Sequence, residues 1–425
     1  MHKIELSEWD NRPKISKNEI GSLSPTDCDL LPRLRQAGIV IDELSDGIRI
    51  QTKSFVGRVT LDAFDLVIEP KLKGMPLYES FRYAFDLNQL HTLGKQITTK
   101  TSFVEILIAE LIGEVRDIQR RGPFQQYQKE RKELVDLRGQ IDQAAWLRRG
   151  GMASETLPCV FYRRSHDNIL NWTLCAGLRL GTMLSQSPKV KTTCRMLADT
   201  FAESVSEQPL SKRLIVNAFR HLNRLNAHYE QALLLIRLLQ EGIGGFTHGT
   251  DRCERIPGFL FDMNKLFEKC LERLFRENLP GVKFSPQKEF RLFSFASSCN
   301  PKNQSSFGFR PDYTFEYQGE TIILDAKYRD LWKKPLPTSM LYQLLVYAMA
   351  AAVPHQSVIL YPTLHQEAKQ QKINLVADAD KQHLCSVTLQ PVDLQELSKI
   401  VSQDTDIDRQ RFAEKLVSIH QLGMK

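Results

Sequence analysis

The chain has 425 residues, 42% of them hydrophobic and 25% charged, with 9% aromatics and a formal net charge of +7. Such a length implies two or three domains, each able to bury a core, and the composition excludes disordered, fibrous and collagen-like chains. The modest positive balance has the sign expected for a phosphate-bearing partner. Eight cysteines (28, 159, 175, 194, 253, 270, 299 and 385) form no CxxC pair, and the start MHKIELSEWDNRPK lacks the apolar stretch of a signal peptide. A reduced, cytoplasmic protein without a zinc ribbon is therefore expected. The most apolar windows, Tyr342 to Val353 and Ala232 to Leu239, are too short to span a bilayer, so no membrane role is indicated.

From Gly47 to about Leu72 the sequence GIRIQTKSFVGRVTLDAFDLVIEPKL alternates apolar and polar residues, broken by Gly57 and a turn at Asp62 to Asp65. This predicts a small β-rich N-terminal domain over residues 1–100. Between Leu77 and Leu147 the period becomes helical, with Phe103, Ile106, Leu107, Leu111 and Val115 three or four apart, and helices are expected to about Gly242. A helical linking region over 101–245 follows from that reading.

Within it, Arg120 to Arg149 carries eight basic residues, among them Arg120, Arg121, Lys129, Arg131 and Lys132, against four acidic ones, with Phe124 and Tyr127 interleaved. Such a run suits either a DNA backbone or a solvated helix face with Glu130 and Glu133 paired to neighbouring cations. The glycine-rich polar stretch 243–258 reads as a linker. Beyond it a helix, two strands, a helix and a strand predict an α/β domain with a small sheet over 255–425, ending in a helical tail from about Asp393.

The hairpin FRPDYTFEYQGETIILDAKY, residues 309–328, places charge in an apolar context. With Gln318-Gly319 as a two-residue turn, Tyr317 faces Glu320, and the same register sets Asp312 opposite Asp325 with Lys327 on the same side. Ile322, Leu324, Ala326 and Tyr328 then form the opposite, core-facing side. Two facing carboxylates repel unless a positive group lies between them, and a divalent cation is the natural filler. Mg²⁺ takes one or two carboxylates and leaves its other positions to water and phosphate oxygens, as phosphodiester hydrolysis requires. Lys327 is then placed to orient the attacking water or to stabilise developing phosphate charge. The bland alternative is a turn residue at Asp312 and a solvated strand edge at Asp325 and Lys327. In the preceding helix Met263, Phe267, Cys270, Leu271 and Leu274 form an apolar stripe with Glu268 at its border, either a third carboxylate for the site or a surface residue. Gln343 and Tyr347 share one face of the following helix, where they serve either the site or a core network.

In chain order, Glu268, Pro311-Asp312, Asp325-Ala326-Lys327 and Gln343-x-x-x-Tyr347 resemble the PD-(D/E)xK nuclease superfamily, in the branch with the added Q-x-x-x-Y helix motif. FDMNKLFEKCLERLF, RRGPFQQYQKERKELVDLRGQID, GFRPDYTF with ILDAKYRD, and SFVGRVTLDAFDLVIEPKL together resemble McrC, the nuclease subunit family of McrBC-type methylation-dependent restriction systems. The resemblance covers most of the chain. It implies an α+β multidomain protein whose C-terminal α/β domain is restriction-endonuclease-like and cleaves double-stranded DNA with Mg²⁺. It assigns Asp312, Asp325 and Glu268 to the metal, and Lys327, Gln343 and Tyr347 to the catalytic set. The implied partner is a McrB-like AAA+ GTPase that recognises modified cytosine and binds the GTP, and whose ring the N-terminal region engages. The sequence itself has no GxxxxGK[ST] loop; HTLGKQITTK around Gly94-Lys95 lacks the first glycine and the hydroxyl after lysine. An adaptor that activates a GTPase with an idle nuclease site, and a stand-alone RecB-like nuclease, are the rival readings.

Overall fold

The computed structural model describes residues 2–11, 14–16, 19, 22–87, 102–148, 155–243, 258–300, 302–303, 305, 307–317, 319–351, 355–376, 382–402 and 405–417. The Gly94-Lys95 fragment, Arg149, the turn residue Gln318 and residues 244–257 of the expected linker lie outside this set. By contact the chain divides into two units: the described parts of Met1–Asn88 and Leu260–Lys425 form one, and the described residues between them form the other. Among the described residues no helix is long and apolar enough to cross a membrane.

The first part contains β1 (His2–Ser7), β2 (Ile15–Ser16), α1 (Pro25–Gln36), β3 (Val40–Leu44), β4 (Gly47–Gln51), β5 (Phe55–Thr60), β6 (Phe64–Glu69) and α2 (Met75–Ala84). The alternation expected from the sequence is present in β6, where Phe64, Leu66 and Ile68 are buried and their neighbours are not. β6 pairs antiparallel with β5 and parallel with β1. Helix α1 starts at a capping box in which Ser24 Oγ accepts the Asp27 N–H at 3.0 Å and Asp27 Oδ2 accepts the Ser24 N–H at 3.1 Å.

The second unit holds α3 (Phe103–Arg121), β7 (Gln126–Leu134), β8 (Gln140–Ile141), α4 (Gln143–Arg148), β9 (Leu157–Ser165), α5 (Ile169–Leu184), α6 (Pro188–Ala202), α7 (Lys212–Arg220) and α8 (Glu230–Ile243). The expected stripe Phe103, Ile106, Leu107, Leu111 and Val115 is buried. Helix α5 packs so tightly on α8 at Gly177 that a Cβ there would fall 2.4 Å from Ile236 Cγ1.

The basic segment departs from expectation. Residues 126–134 form a strand rather than a helix face, pairing antiparallel with β9 from Gln126↔Ser165 to Leu134↔Leu157. No β7 residue is buried, so the apolar periodicity that separates strand from helix is missing there. Cross-strand contacts replace it: Arg164 stacks over the Tyr127 ring and donates from Nε to its hydroxyl at 2.9 Å.

The C-terminal part comprises β10 (Gly258–Asp262), α9 (Met263–Asn278), β11 (Lys283–Pro286), β12 (Phe290–Phe293), β13 (Phe307–Phe309), β14 (Tyr313–Tyr317), β15 (Glu320–Ala326), α10 (Thr338–Ala350), β16 (Gln356–Thr363), β17 (Gln371–Val376), β18 (His383–Asp393), α11 (Leu394–Ser402) and α12 (Asp406–Val417). β10 extends the N-terminal sheet, whose order is β1-β6-β5-β10. The main sheet has six strands in the order β11-β14-β15-β16-β18-β17, larger than the small sheet the sequence suggested. β15, β16 and β18 run parallel, and α10 makes the crossover between the first two. Behind the sheet, α9 sets Phe275 edge-on to Phe315, with centroids 5.2 Å apart.

Candidate active site

The β14–β15 hairpin has the register read from the sequence, with Tyr317 paired to Glu320 and Tyr313 to Leu324. Gly319 closes the turn at φ +86°, a conformation open to glycine and costly for other residues. Asp312 stands one residue before the first paired rung. Its Oδ2 accepts the Ala326 N–H at 2.8 Å, which holds its carboxylate beside Asp325. Lys327 Nζ lies 3.0 Å from Asp325 Oδ2 and 3.8 Å from Asp312 Oδ2. The Asp325 contact is a close ion pair, and among the described residues its buried Oδ2 has no partner besides that ammonium. Ile322, Leu324, Ala326 and Tyr328 are all buried on the other side. Among the described residues, the bland reading of a solvated edge does not fit Asp325, which is 2% exposed.

Burial raises the Asp325 carboxyl above its usual range, Lys327 pulls it back down, and Asp312 adds to the rise. Burial depresses the Lys327 ammonium, but the charges of Asp325 and Asp312 outweigh it and the net shift is upward. Glu268, on α9, is pushed up to about 7, first by burial and then by Asp312, against the pull of Lys327. Tyr313 Oη donates to the Glu268 carbonyl at 2.6 Å and ties that turn of α9 to the hairpin.

The Glu268 shift sets a pH dependence. Its folded pKa is raised above the ordinary value of 4.5, so the folded state binds the extra proton between about pH 4.5 and about pH 7, and stability drains away as pH rises through that window. Glu268→Gln cannot ionise. In Mg²⁺-free buffer its melting temperature is expected to match wild type below about pH 4.5 and to exceed it by a few degrees at pH 8. Equal melting curves at pH 8 would contradict the assignment.

Tyr347 is buried on α10, and its hydroxyl accepts from Gln343 Nε2 at 2.6 Å. Burial raises the Tyr347 pKa; the Gln343 hydrogen bond opposes it, and Asp325 raises it further. Phe309 stacks on the Tyr347 ring at 4.5 Å. Gln343 itself is exposed, so of the two roles open to it a core network is the one the structure does not fit.

Among the described residues no group of three or more His, Cys, Asp or Glu side chains is gathered to hold a metal ion. Glu268 is coupled electrostatically to Asp312 and Asp325. The positive filler between the two aspartates is the Lys327 ammonium. The pair Asp312 and Asp325, with a buried Asp325 oxygen met among the described residues only by the Lys327 ammonium, suits a hard cation that needs only one or two protein carboxylates.

The residues expected to contact DNA lie in the other unit: Arg120 and Arg121 end α3, and Lys129, Arg131 and Lys132 stand on β7. Several of their charges are matched locally, Arg120 by Asp117, Lys132 by Glu130 at 2.9 Å and Arg131 by Asp142 at 3.9 Å. Asn264, Glu8 and Phe309 make contacts around the site that carry no signal in the sequence motifs. Asn264 Oδ1 accepts the Tyr328 N–H at 3.3 Å, Tyr328 Oη donates to Glu8 Oε1 at 2.9 Å, and Phe309 contacts Tyr347 as above. Asn264 follows the helix-capping Asp262 in a motif already conspicuous in the sequence; Glu8, 320 positions from Tyr328, has no local signal.

Comparison with known proteins places this geometry in context. Residues 50–362 match the family described as McrBC 5-methylcytosine restriction system component. Among solved structures the chain is similar to one from Thermococcus gammatolerans, a half-complex of a tetradecameric assembly of McrB AAA+ hexamers with bound McrC. That match has a TM-score of 0.68 at 19% identity and covers 98% of this chain and 100% of the other. A second T. gammatolerans structure, the McrBC complex, matches at TM-score 0.49 and 20% identity over 67% of this chain and 89% of the other. No curated protein matches the chain.

Proposed function

This chain belongs to the McrBC 5-methylcytosine restriction system component family and is a McrC-type protein, and from that premise we propose that it is the DNA-cleaving subunit of a modification-dependent restriction system. The observation that carries the reading is the convergence of Asp312, Asp325 and Lys327 at the end of the β14–β15 hairpin, backed by Glu268. In this reading Asp312 and Asp325 would hold Mg²⁺, which when bound would supply charge neutralisation at the scissile phosphate and lower the pKa of water. Lys327, within ion-pair reach of both carboxylates, directs its ammonium at the phosphate oxygen where charge builds up. Glu268, pushed up to about 7, is poised to take or return a proton near neutral pH. Gln343, fixed through Tyr347, presents its remaining amide valences to the substrate backbone.

Similarity in fold to a McrC bound to McrB AAA+ hexamers supports a corresponding GTP-driven ring as the partner. The absence of a phosphate-binding loop motif from this sequence is consistent with GTP being bound by that partner. The test is cleavage of a plasmid carrying 5-methylcytosine by this chain with the AAA+ protein encoded beside it. Double-strand cutting is expected only when Mg²⁺, GTP and the partner are all present, and unmethylated plasmid is expected to survive. Cutting that persists in excess chelator would overturn the Mg²⁺ assignment.

A further inference from the structure

Lys327 directly follows β15, and its N–H donates to the Leu360 carbonyl of β16 at 3.0 Å. Immediately afterwards the chain leaves the sheet, with the Arg329 N–H turning back to the Lys327 carbonyl at 2.7 Å. A catalytic side chain at such a point needs support from the residue that follows, because nothing in the ladder restrains it further.

That residue is Tyr328, 2% exposed, and its partners come largely from the N-terminal segment. Its hydroxyl donates to Glu8 Oε1 at 2.9 Å, and the same oxygen accepts the Lys71 N–H at 2.7 Å. Lys71 Nζ lies 5.4 Å from the centre of the Tyr328 ring. Glu8 is held in turn by its own N–H, which donates to the Glu69 carbonyl at 3.1 Å. The Tyr328 N–H reaches Asn264, whose Nδ2 donates to Ser54 Oγ at 2.7 Å, while the Ser54 carbonyl accepts the Met263 N–H at 2.9 Å. Residues 8, 54 and 71 therefore secure both the backbone behind Lys327 and the first turn of the helix that carries Glu268.

A carboxylate 3% exposed is a costly way to fill space. Burial pushes Glu8 up to about 7, against Lys71, and its Oε2 is buried without a hydrogen bond. Packing alone would be served better by an apolar side chain of the same volume. What only an acceptor supplies here is the pair of hydrogen bonds that fixes the Tyr328 hydroxyl relative to β6.

We propose that Glu8 is a positioning residue for Lys327, acting through the Tyr328 hydroxyl, so that the N-terminal segment completes the cleavage centre of the C-terminal sheet. The proposal rests on the catalytic reading of Lys327 given above.

The test compares wild type, Glu8→Ala, Glu8→Gln and Tyr328→Phe in the full complex, by single-turnover cleavage over a range of DNA concentrations. Glu8→Ala and Tyr328→Phe are each expected to lower the rate constant by about tenfold, a moderate loss for a displaced catalytic group, with the half-saturating DNA concentration unchanged. Glu8→Gln keeps an oxygen that accepts both hydrogen bonds and is expected to stay within about twofold of wild type. Wild-type rates for both Glu8→Ala and Tyr328→Phe would overturn the proposal. So would an equal loss in all three variants, or a shift in half-saturation. If Glu8→Ala fails to fold, Tyr328→Phe, which retains the ring and its packing on Phe267, decides the matter. Failure of wild type itself to cut would instead count against the catalytic reading.

Discussion

Lys327→Ala is expected to lower the cleavage rate constant of the complex by about 10²- to 10³-fold, the range for losing one preorganised group that stabilises transition-state charge. Two features of the site make the effect one of chemistry rather than folding. The ammonium is held by Asp325 at 3.0 Å and Asp312 at 3.8 Å, so its position is fixed before substrate arrives. Its side chain keeps 31% exposure, so truncation leaves no sealed cavity. Removing it also leaves two adjacent carboxylates without their resident cation. The stabilisation by Mg²⁺, read as the rise in melting temperature, is therefore expected to equal or exceed that of wild type. Loss of cutting with metal stabilisation intact would separate Lys327 from the proposed metal-holding pair. An unchanged rate would remove it from the mechanism.

The parts of the site that were legible in the sequence are those governed by short-range rules. A two-residue turn fixes a register, and a register fixes which residues face each other, so Asp312, Asp325 and Lys327 could be brought together on paper. The apolar stripe of α9 likewise set Glu268 at its border, half-buried in the structure. Long-range contacts left no such trace. Nothing near Glu8 or Ser54 announces a partner at Tyr328 or Asn264, because these contacts depend on how the N-terminal sheet takes up β10. The β7–β9 ribbon is hidden in the sequence for a different reason. With charged residues on both faces, QYQKERKEL carries neither the two-residue nor the 3.6-residue apolar period, and its strand character comes from pairing with β9. Gln343 shows the limit of face arguments: the four-residue spacing puts it on one helix face with Tyr347, but it does not show that the two bond to each other or that the glutamine end is exposed.

Asp325→Ala should be the more damaging change to cleavage. Charge stabilisation by a divalent cation contributes several kcal/mol to phosphodiester hydrolysis, and each ~1.4 kcal/mol is a factor of ten, so loss of a ligand is expected to cost about 10³-fold or more. The fold should tolerate it. Burial of this carboxylate is unfavourable, as its raised pKa records, and Lys327 retains Asp312 as a partner, so the metal-free melting temperature is expected to hold or rise. The variant therefore removes the chemistry while sparing the surfaces through which a partner would bind.

The decisive measurement follows both events in one reaction: DNA cleavage and GTP hydrolysis by the partner, with methylated plasmid and Mg²⁺, for wild type and Asp325→Ala. Cutting lost while GTP hydrolysis stays at the wild-type level is the predicted result, assigning phosphodiester chemistry to the hairpin and separating it from the partner's GTP hydrolysis. Cutting by Asp325→Ala at the wild-type rate would contradict the account, and the paired aspartates would then be a structural feature of the sheet end.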